Sequence, residues 1–231
     1  MRIAVIGAMD EEVELLKSKL ENLQEEKKGG TFFFSGQLFG TDVVLIKSGI
    51  GKVNAAIATT IVLKTYQPDM VINTGSAGGF NPELEVGDLV VSTEVRYNDV
   101  DATVFGYEYG QVPQMPAAYA ADGGLITASL EAAEQEDIPL QKGLILSGDS
   151  FMSSDEQIAF LKQTFDLPQC AEMEAGAIAQ VCYRFNTPFV VIRALSDIAG
   201  REAKQSYDQF LKKASENSAA LVLAMINRGY K

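Results

Sequence analysis

Histidine is absent from this chain of 231 residues. Its absence removes Ser-His-Asp triads, the imidazole general base and every His-ligated metal site. Cysteine is nearly absent too. Cys170 and Cys182 lie inside apolar runs, which reads as free buried thiols in a reducing cytosol, and two thiols without histidine make no zinc set. Positive charge is scarce: 19 Lys and Arg stand against 31 Asp and Glu, for a formal charge of −12 and a pI near 4.5. Such a surface repels phosphate backbones and anionic lipid, so no nucleic acid and no membrane is expected as a partner. No apolar run approaches the ~18 residues of a membrane span. The opening MRIAVIGAMDEEVELL is too short in its apolar part and too acidic for a signal peptide. The expectation is a cytoplasmic protein whose acid–base chemistry falls to carboxylates.

What is present is a large core. Hydrophobic residues make up 47% of the chain, and the length suits one α/β domain over residues 1–231. Short apolar runs at Ile3–Ile6, Met70–Asn73, Leu89–Val95, Leu144–Leu146 and Phe189–Ala194 read as buried strands. Helical spacing covers Asp10–Leu20, Lys52–Tyr66, Leu125–Gln135, Glu156–Phe165, Ala175–Phe185 and Tyr207–Asn227, and Phe32–Leu38 with Val43–Lys47 reads as a hairpin. Strands alternating with helices predict a three-layer α/β/α fold with a central mixed, largely parallel sheet. One stretch breaks the rhythm. Asn98 to Asp122 has no period yet carries Phe105, Tyr107, Tyr109, Pro113, Pro116 and Tyr119. So long an irregular and aromatic segment is read as covering a ligand or a partner subunit, the alternative being a loop folded on its own domain.

The densest chemistry lies in CAEMEAGAIAQVCYRFNTPFVVIRALSD, residues 170–197. Glu172 and Glu174 flank Met173 where an extended run turns into a helix, and Asp197 comes just after an apolar strand. Isolated buried carboxylates are costly and tend to take up a proton, and strand ends are where α/β sheets form ligand crevices. This is an active-site pattern.

Other motifs have plainer readings. Gly7-Ala8-Met9-Asp10 lacks the later glycines of a dinucleotide fingerprint, and its acids would face the pyrophosphate. Of Asp10, Glu11 and Glu12, two are accounted for by the dipole of the helix they open, while one aimed inward would orient a water. Ser48-Gly49-Ile50-Gly51-Lys52 fails as a phosphate loop and reads as a tight turn with close backbone approach to a ligand. Thr74-Gly75-Ser76-Ala77-Gly78-Gly79 is either a turn or a backbone wall for a ligand. Asp99 and Asp101 read as solvated acids, since oxygen-ligand metal sites need more convergent groups.

Taken in order, GAMDEE, SGIGKVNAA, INTGSAGG, DATVFGYEYGQ, SGDSF, AEMEAGAIA and RALSD closely resemble the bacterial 5′-methylthioadenosine/S-adenosylhomocysteine nucleosidases of the nucleoside phosphorylase superfamily, over nearly the whole chain. The resemblance implies a homodimer that hydrolyses the N-glycosidic bond of 5′-thioadenosines, and of 5′-deoxyadenosine, in methionine salvage and removal of S-adenosylmethionine by-products, without metal or cofactor. It implies Glu12 as the carboxylate that activates water and Asp197 as the acid that protonates adenine N7, supported by Ser196. Glu174, beside Glu172 and the Met173 backbone, would bind the ribose hydroxyls. Phe151 would stack on the base and Met152 contact its edge, with Ser76, Ala77, Gly78 and Arg193 around the water and ribose. Met9, Ile50 and Tyr207 would line the alkylthio pocket, and loop 98–120 would bring Phe105, Tyr107 and Pro113 from the second subunit. Three positions depart from the pattern: Asn98 where many relatives have His, Ala102 where some have Val, and Tyr207 where Phe is common. All three bear on the alkylthio pocket and hence on substrate preference.

Rival activities can be weighed on the same residues. A phosphorylase needs a cationic cleft, yet after Arg2 no arginine occurs before Arg96, and Glu12 would repel phosphate. AMP lacks a basic cluster for its phosphate. Aminodeoxyfutalosine fits the same residues, and a non-catalytic adenine-nucleoside binder would have lost one of Glu12, Glu174 and Asp197.

Overall fold

The computed structural model describes residues 1–199 and 203–229. Strand β1 (Arg2–Gly7) lies between β4 (Thr41–Lys47) and β5 (Met70–Gly79), and β5 pairs with β10 (Phe189–Ile198), all four parallel. These are the continuous apolar runs, buried on both faces as parallel strands are. The expected parallel character holds there and gives way to antiparallel pairing around it. On one side β3 (Thr31–Leu38) pairs antiparallel with β4, and β2 (Glu21–Lys28) with β3. The β3–β4 hairpin turns on Phe39 and Gly40, both with positive φ, the two-residue turn whose twist matches the strands. On the other side, β6 (Leu89–Tyr97), β8 (Leu140–Ser147) and β9 (Cys170–Glu172) run parallel to one another. This group joins β10 through β6 and β5 through β9, antiparallel at both junctions. The sheet thus closes a five-strand ring, β5-β10-β6-β8-β9, with β1, β4, β3 and β2 as its extension. The two-residue strand β7 (Tyr119–Ala120) pairs with β6.

Helices cover the sheet in two groups. α1 (Asp10–Lys19), α3 (Gly123–Gln135) and α6 (Ala203–Arg228) bury Val13, Leu16, Leu125, Leu221 and Val222 against Ile3, Val5, Ile72 and Ile192. α2 (Lys52–Thr65) and α5 (Ala175–Phe185) bury Ala55, Val62, Ile178 and Cys182 against Ala4, Ile6, Val71 and Val191. Alternate residues of one strand therefore feed opposite cores, as a period of two requires. α4 (Asp155–Thr164) packs Ile158 and Leu161 on Leu144 and Leu146. Among the described residues no helix is long and apolar enough to cross a membrane.

Three elements differ from the expectation. β2, reading ENLQEEKK, lacks any apolar alternation, yet it forms because its backbone completes the edge of β3. The glycine cluster Thr74–Gly79 is not a turn but the second half of β5, held straight by β10 and β9. β10 runs on through Ile198, so Ser196 and Asp197 lie in the strand rather than after it. Within Asn98 to Asp122 regular structure is confined to a 3₁₀ turn at Thr103–Phe105 and the bridge strand β7.

Candidate active site

The carboxyl ends of β1, β4, β5 and β10 meet the end of β9 around one cavity. Met9, Glu12, Ile50, Ser76, Ala77, Gly78, Phe151, Met152, Glu172, Met173, Glu174, Ser196, Asp197 and Tyr207 all line it. These are the expected site residues, gathered from positions 9 to 207. Ala8, Ser150 and Ala171 line it as well. They carry no distinctive chemistry, and only adjacency to the motifs could have marked them.

Glu12 is the inward acid of the first turn of α1. Asp10 faces outward to Lys47 Nζ at 2.7 Å, whereas Glu12 is only 3% exposed. Glu12 Oε2 accepts from the N–H groups of Ala8 (2.7 Å) and Met9 (3.3 Å), and Oε1 from the N–H (2.9 Å) and Oγ (3.1 Å) of Ser76. Every partner donates, the arrangement that suits an acceptor-only carboxylate. Gly75 lets this happen, since a Cβ there would collide with the Arg193 guanidinium and Glu12 Oε1.

Arg193 does not line the cavity; it sits behind it, fully buried. Its Nη2 donates to Asn73 Oδ1 at 2.6 Å and to Glu172 Oε2, and lies 3.9 Å from Glu174 Oε2. One buried cation thus faces the acids, the pairing such burial demands. Asn73 was not singled out by the sequence; its amide bridges Arg193 and the Ile6 carbonyl, a role invisible without the neighbouring strand.

Glu172 and Glu174 divide their labour. Glu172 accepts from the N–H groups of Glu174 (3.0 Å) and Ala175 (2.9 Å), so it caps α5 while pairing with Arg193. Among the described residues Glu174 accepts one hydrogen bond, through Oε1 from Gly51 N–H at 2.8 Å. Burial and the neighbouring Glu172 push its carboxyl up to about 8, against the pull of Arg193.

Asp197 owes its direction to a register shift. β10 pairs Leu195 with Ala77 and Asp197 with Gly78, leaving Ser196 as the extra residue of a bulge. The bulge breaks strict alternation, so both residues line the cavity and Ser196 Oγ donates to Asp197 Oδ1 at 2.7 Å. Gly78 has no Cβ, which would stand 2.9 Å from Asp197 Oδ2. Burial raises the Asp197 carboxyl above the usual range, partly opposed by the Ser196 hydrogen bond.

The Phe151 ring meets Tyr207 edge-on, centroids 5.6 Å apart, and Tyr207 Oη reaches Met9 Sδ at 3.4 Å. Phe105, Tyr107 and Pro113 do not line this cavity; Phe105 is 79% exposed. Asn98 is buried, and its amide has no hydrogen-bonding partner among the described residues.

A sequence model of the Phosphorylase superfamily matches residues 2–227. A 5′-methylthioadenosine/S-adenosylhomocysteine nucleosidase of Halalkalibacterium halodurans is 63% identical over 98% of each chain. The enzyme of that name from Bacillus subtilis is 57% identical over 99% of each. The crystal structure of the Neisseria meningitidis nucleosidase in complex with methylthio-immucillin-A superposes with a TM-score of 0.97 at 48% identity, covering 98% of this chain and 99% of that one.

Proposed function

The chain belongs to the 5′-methylthioadenosine/S-adenosylhomocysteine nucleosidases of the phosphorylase superfamily and hydrolyses the N-glycosidic bond of both nucleosides, and we propose that three of its carboxylates divide that reaction. Glu12 takes a proton from the water whose oxygen attacks the anomeric carbon. As the glycosidic bond breaks, its electron pair passes into the adenine, and Asp197 delivers a proton to N7. Glu174 accepts hydrogen bonds from the ribose hydroxyls, and behind it Arg193 offsets the charge of Glu172 and Glu12. Such a displacement has oxocarbenium character and needs an acid at the leaving group and a base on the water.

The observation that carries this reading is the contrast within one cavity. Glu12 is surrounded by donors, as a base should be. Asp197 is held toward its protonated form by burial, as an acid should be. Phe151 and Met152 are assigned to the base, and Met9, Ile50 and Tyr207 to the 5′ substituent; 5′-deoxyadenosine, which lacks only that group, is a further substrate.

The protein is proposed to act as a single domain of three layers in a cytoplasmic homodimer serving methionine salvage. Loop 98–120 would complete the partner's site with Phe105, Tyr107 and Pro113. Support comes from apolar exposure: Val104 (84%), Phe105 (79%) and Val53 (70%) stand in solvent, and Val53 lines a groove together with Val100, Val112, Val181 and Phe185.

Incubation with 5′-methylthioadenosine, with and without phosphate, tests the reading. Adenine and free methylthioribose at a phosphate-independent rate are expected. A phosphorylated sugar, or no turnover, would overturn it.

A further inference from the structure

Helix α2 begins without a cap of its own. Its N-cap is Gly51, which has no side-chain acceptor, so its first N–H groups need partners from elsewhere. Two carboxylates from distant parts of the chain supply them. Gly51 N–H donates to Glu174 Oε1 at 2.8 Å, and Lys52 N–H to Asp149 Oδ1 at 2.9 Å. Asp149 also meets the positive end of the helix dipole. Asp149 is fixed in turn: its own N–H donates to Asp99 Oδ2 at 2.9 Å, and that same oxygen accepts from Lys52 Nζ at 2.6 Å. The contacts close a ring from Lys52 through Asp149 and Asp99 back to Lys52. Behind it Gly148 admits no side chain, since a Cβ would collide with the Asn98 amide and stand 2.8 Å from Asp99 Cγ. Lys52 and Asp99 are each 25% exposed in their side chains, more sheltered than an ordinary surface pair.

None of the three residues lines the cavity, yet each is chained to groups that do. Asp149 directly precedes Ser150, Phe151 and Met152, and Lys52 follows Ile50 and the Gly51 that holds Glu174. The geometry points to Asp149, backed by Asp99 and Lys52, as a positioning residue that docks the loop after β8 on the N-terminus of α2 and so sets the Glu174 carboxylate against the base-covering Phe151. This rests on the nucleosidase reading and extends it: base and ribose recognition share one clasp.

Asp149→Ala, Asp149→Asn and Lys52→Met test it in the full chain, with three readouts: KM and kcat for 5′-methylthioadenosine, adenine affinity by calorimetry, and discrimination against the 2′-deoxy substrate. Asp149→Ala is expected to raise KM and the adenine Kd about tenfold, the scale of one lost helix cap, to weaken discrimination against the deoxy substrate, and to change kcat far less. Asp149→Asn keeps an acceptor oxygen and should recover most of the loss. Lys52→Met keeps the main-chain cap and removes one side of the ring, so about a threefold rise is expected, in the range of a partly screened ion pair. A lower melting temperature with KM, adenine Kd and deoxy discrimination all unchanged would overturn the clasp, as would an Asn variant no better than Ala. Adenine binding needs no turnover. A wild type that binds adenine without hydrolysing the nucleoside would therefore fail the nucleosidase reading alone, and the clasp would still be judged on adenine Kd.

Discussion

Glu12 and Glu174 share the Arg193 neighbourhood but differ in what holds them, and each difference has a consequence. Among the described residues Glu12 accepts four hydrogen bonds. Glu12→Gln should fold, because it keeps shape and one acceptor, yet lose about 10²–10⁴-fold in kcat, the usual cost of removing a general base. Steady-state kinetics beside a thermal melt checks both halves, and a variant keeping a tenth of wild-type activity would reduce Glu12 to a helix-capping charge. Glu174 is the opposite case, its carboxyl raised from 4.5 to about 8 by burial and Glu172. Between those values the unfolded chain is ionised while the folded one keeps its proton, so stability falls as pH rises through this window. Glu174→Gln removes that titration. Its stability gain over wild type should be absent below pH 4, grow from about pH 4.5 to 8, and stay constant above. Denaturant melts across pH would read it, and a gain independent of pH would contradict the raised value.

At the scale of elements, the site depends on strands continuing where the sequence gives little reason for them to. Buried strands and amphipathic helices were legible because Ile3–Ile6, Met70–Asn73 and Phe189–Ala194 are apolar runs and α1, α2 and α5 keep helical spacing. The second half of β5 was not, because glycine has little strand preference and the strand is imposed by β10 and β9. The bulge at Ser196 was hidden for the same reason, although RALSD did mark the residues it turns into the cavity. β2 stayed invisible because an exposed edge strand needs no apolar face. Among site residues, the carboxylates were legible as acids in apolar surroundings, whereas Asn73 and Asp149 matter through partners as far as 120 and 97 positions away. The strand path makes its own prediction. Gly75→Ala places a methyl group against Arg193 and Glu12; it should cost about 1–3 kcal/mol of stability, as overpacking does, and remove most activity. Chemical denaturation with kinetics would measure both, and a neutral substitution would mean that β5 moves aside freely.

At the scale of the whole molecule, a second copy is expected to cover part of the segment 98–120. An isolated copy leaves Val104 and Phe105 in solvent, and a surface that acidic gains nothing from exposing them. If a partner copy supplies Phe105 to the 5′ end of the substrate, Phe105→Ala should weaken 5′-methylthioadenosine binding and leave adenine binding nearly unchanged. Calorimetry with both ligands decides this. Equal losses, or a fully active monomer at dilution, would assign the segment to its own domain instead.

The central claim is that Asp197 protonates the leaving base, and the most direct measurement compares two leaving groups in Asp197→Asn. Asparagine keeps the shape and still hydrogen-bonds N7, but it has no acidic proton to deliver. Adenine binding should therefore persist while turnover of 5′-methylthioadenosine collapses, the mark of an interaction made chiefly in the transition state. A nitrophenyl thioriboside, whose leaving group needs no protonation at N7, should lose far less rate. Equal losses for the two substrates would contradict the account and leave Asp197 a binding or structural group.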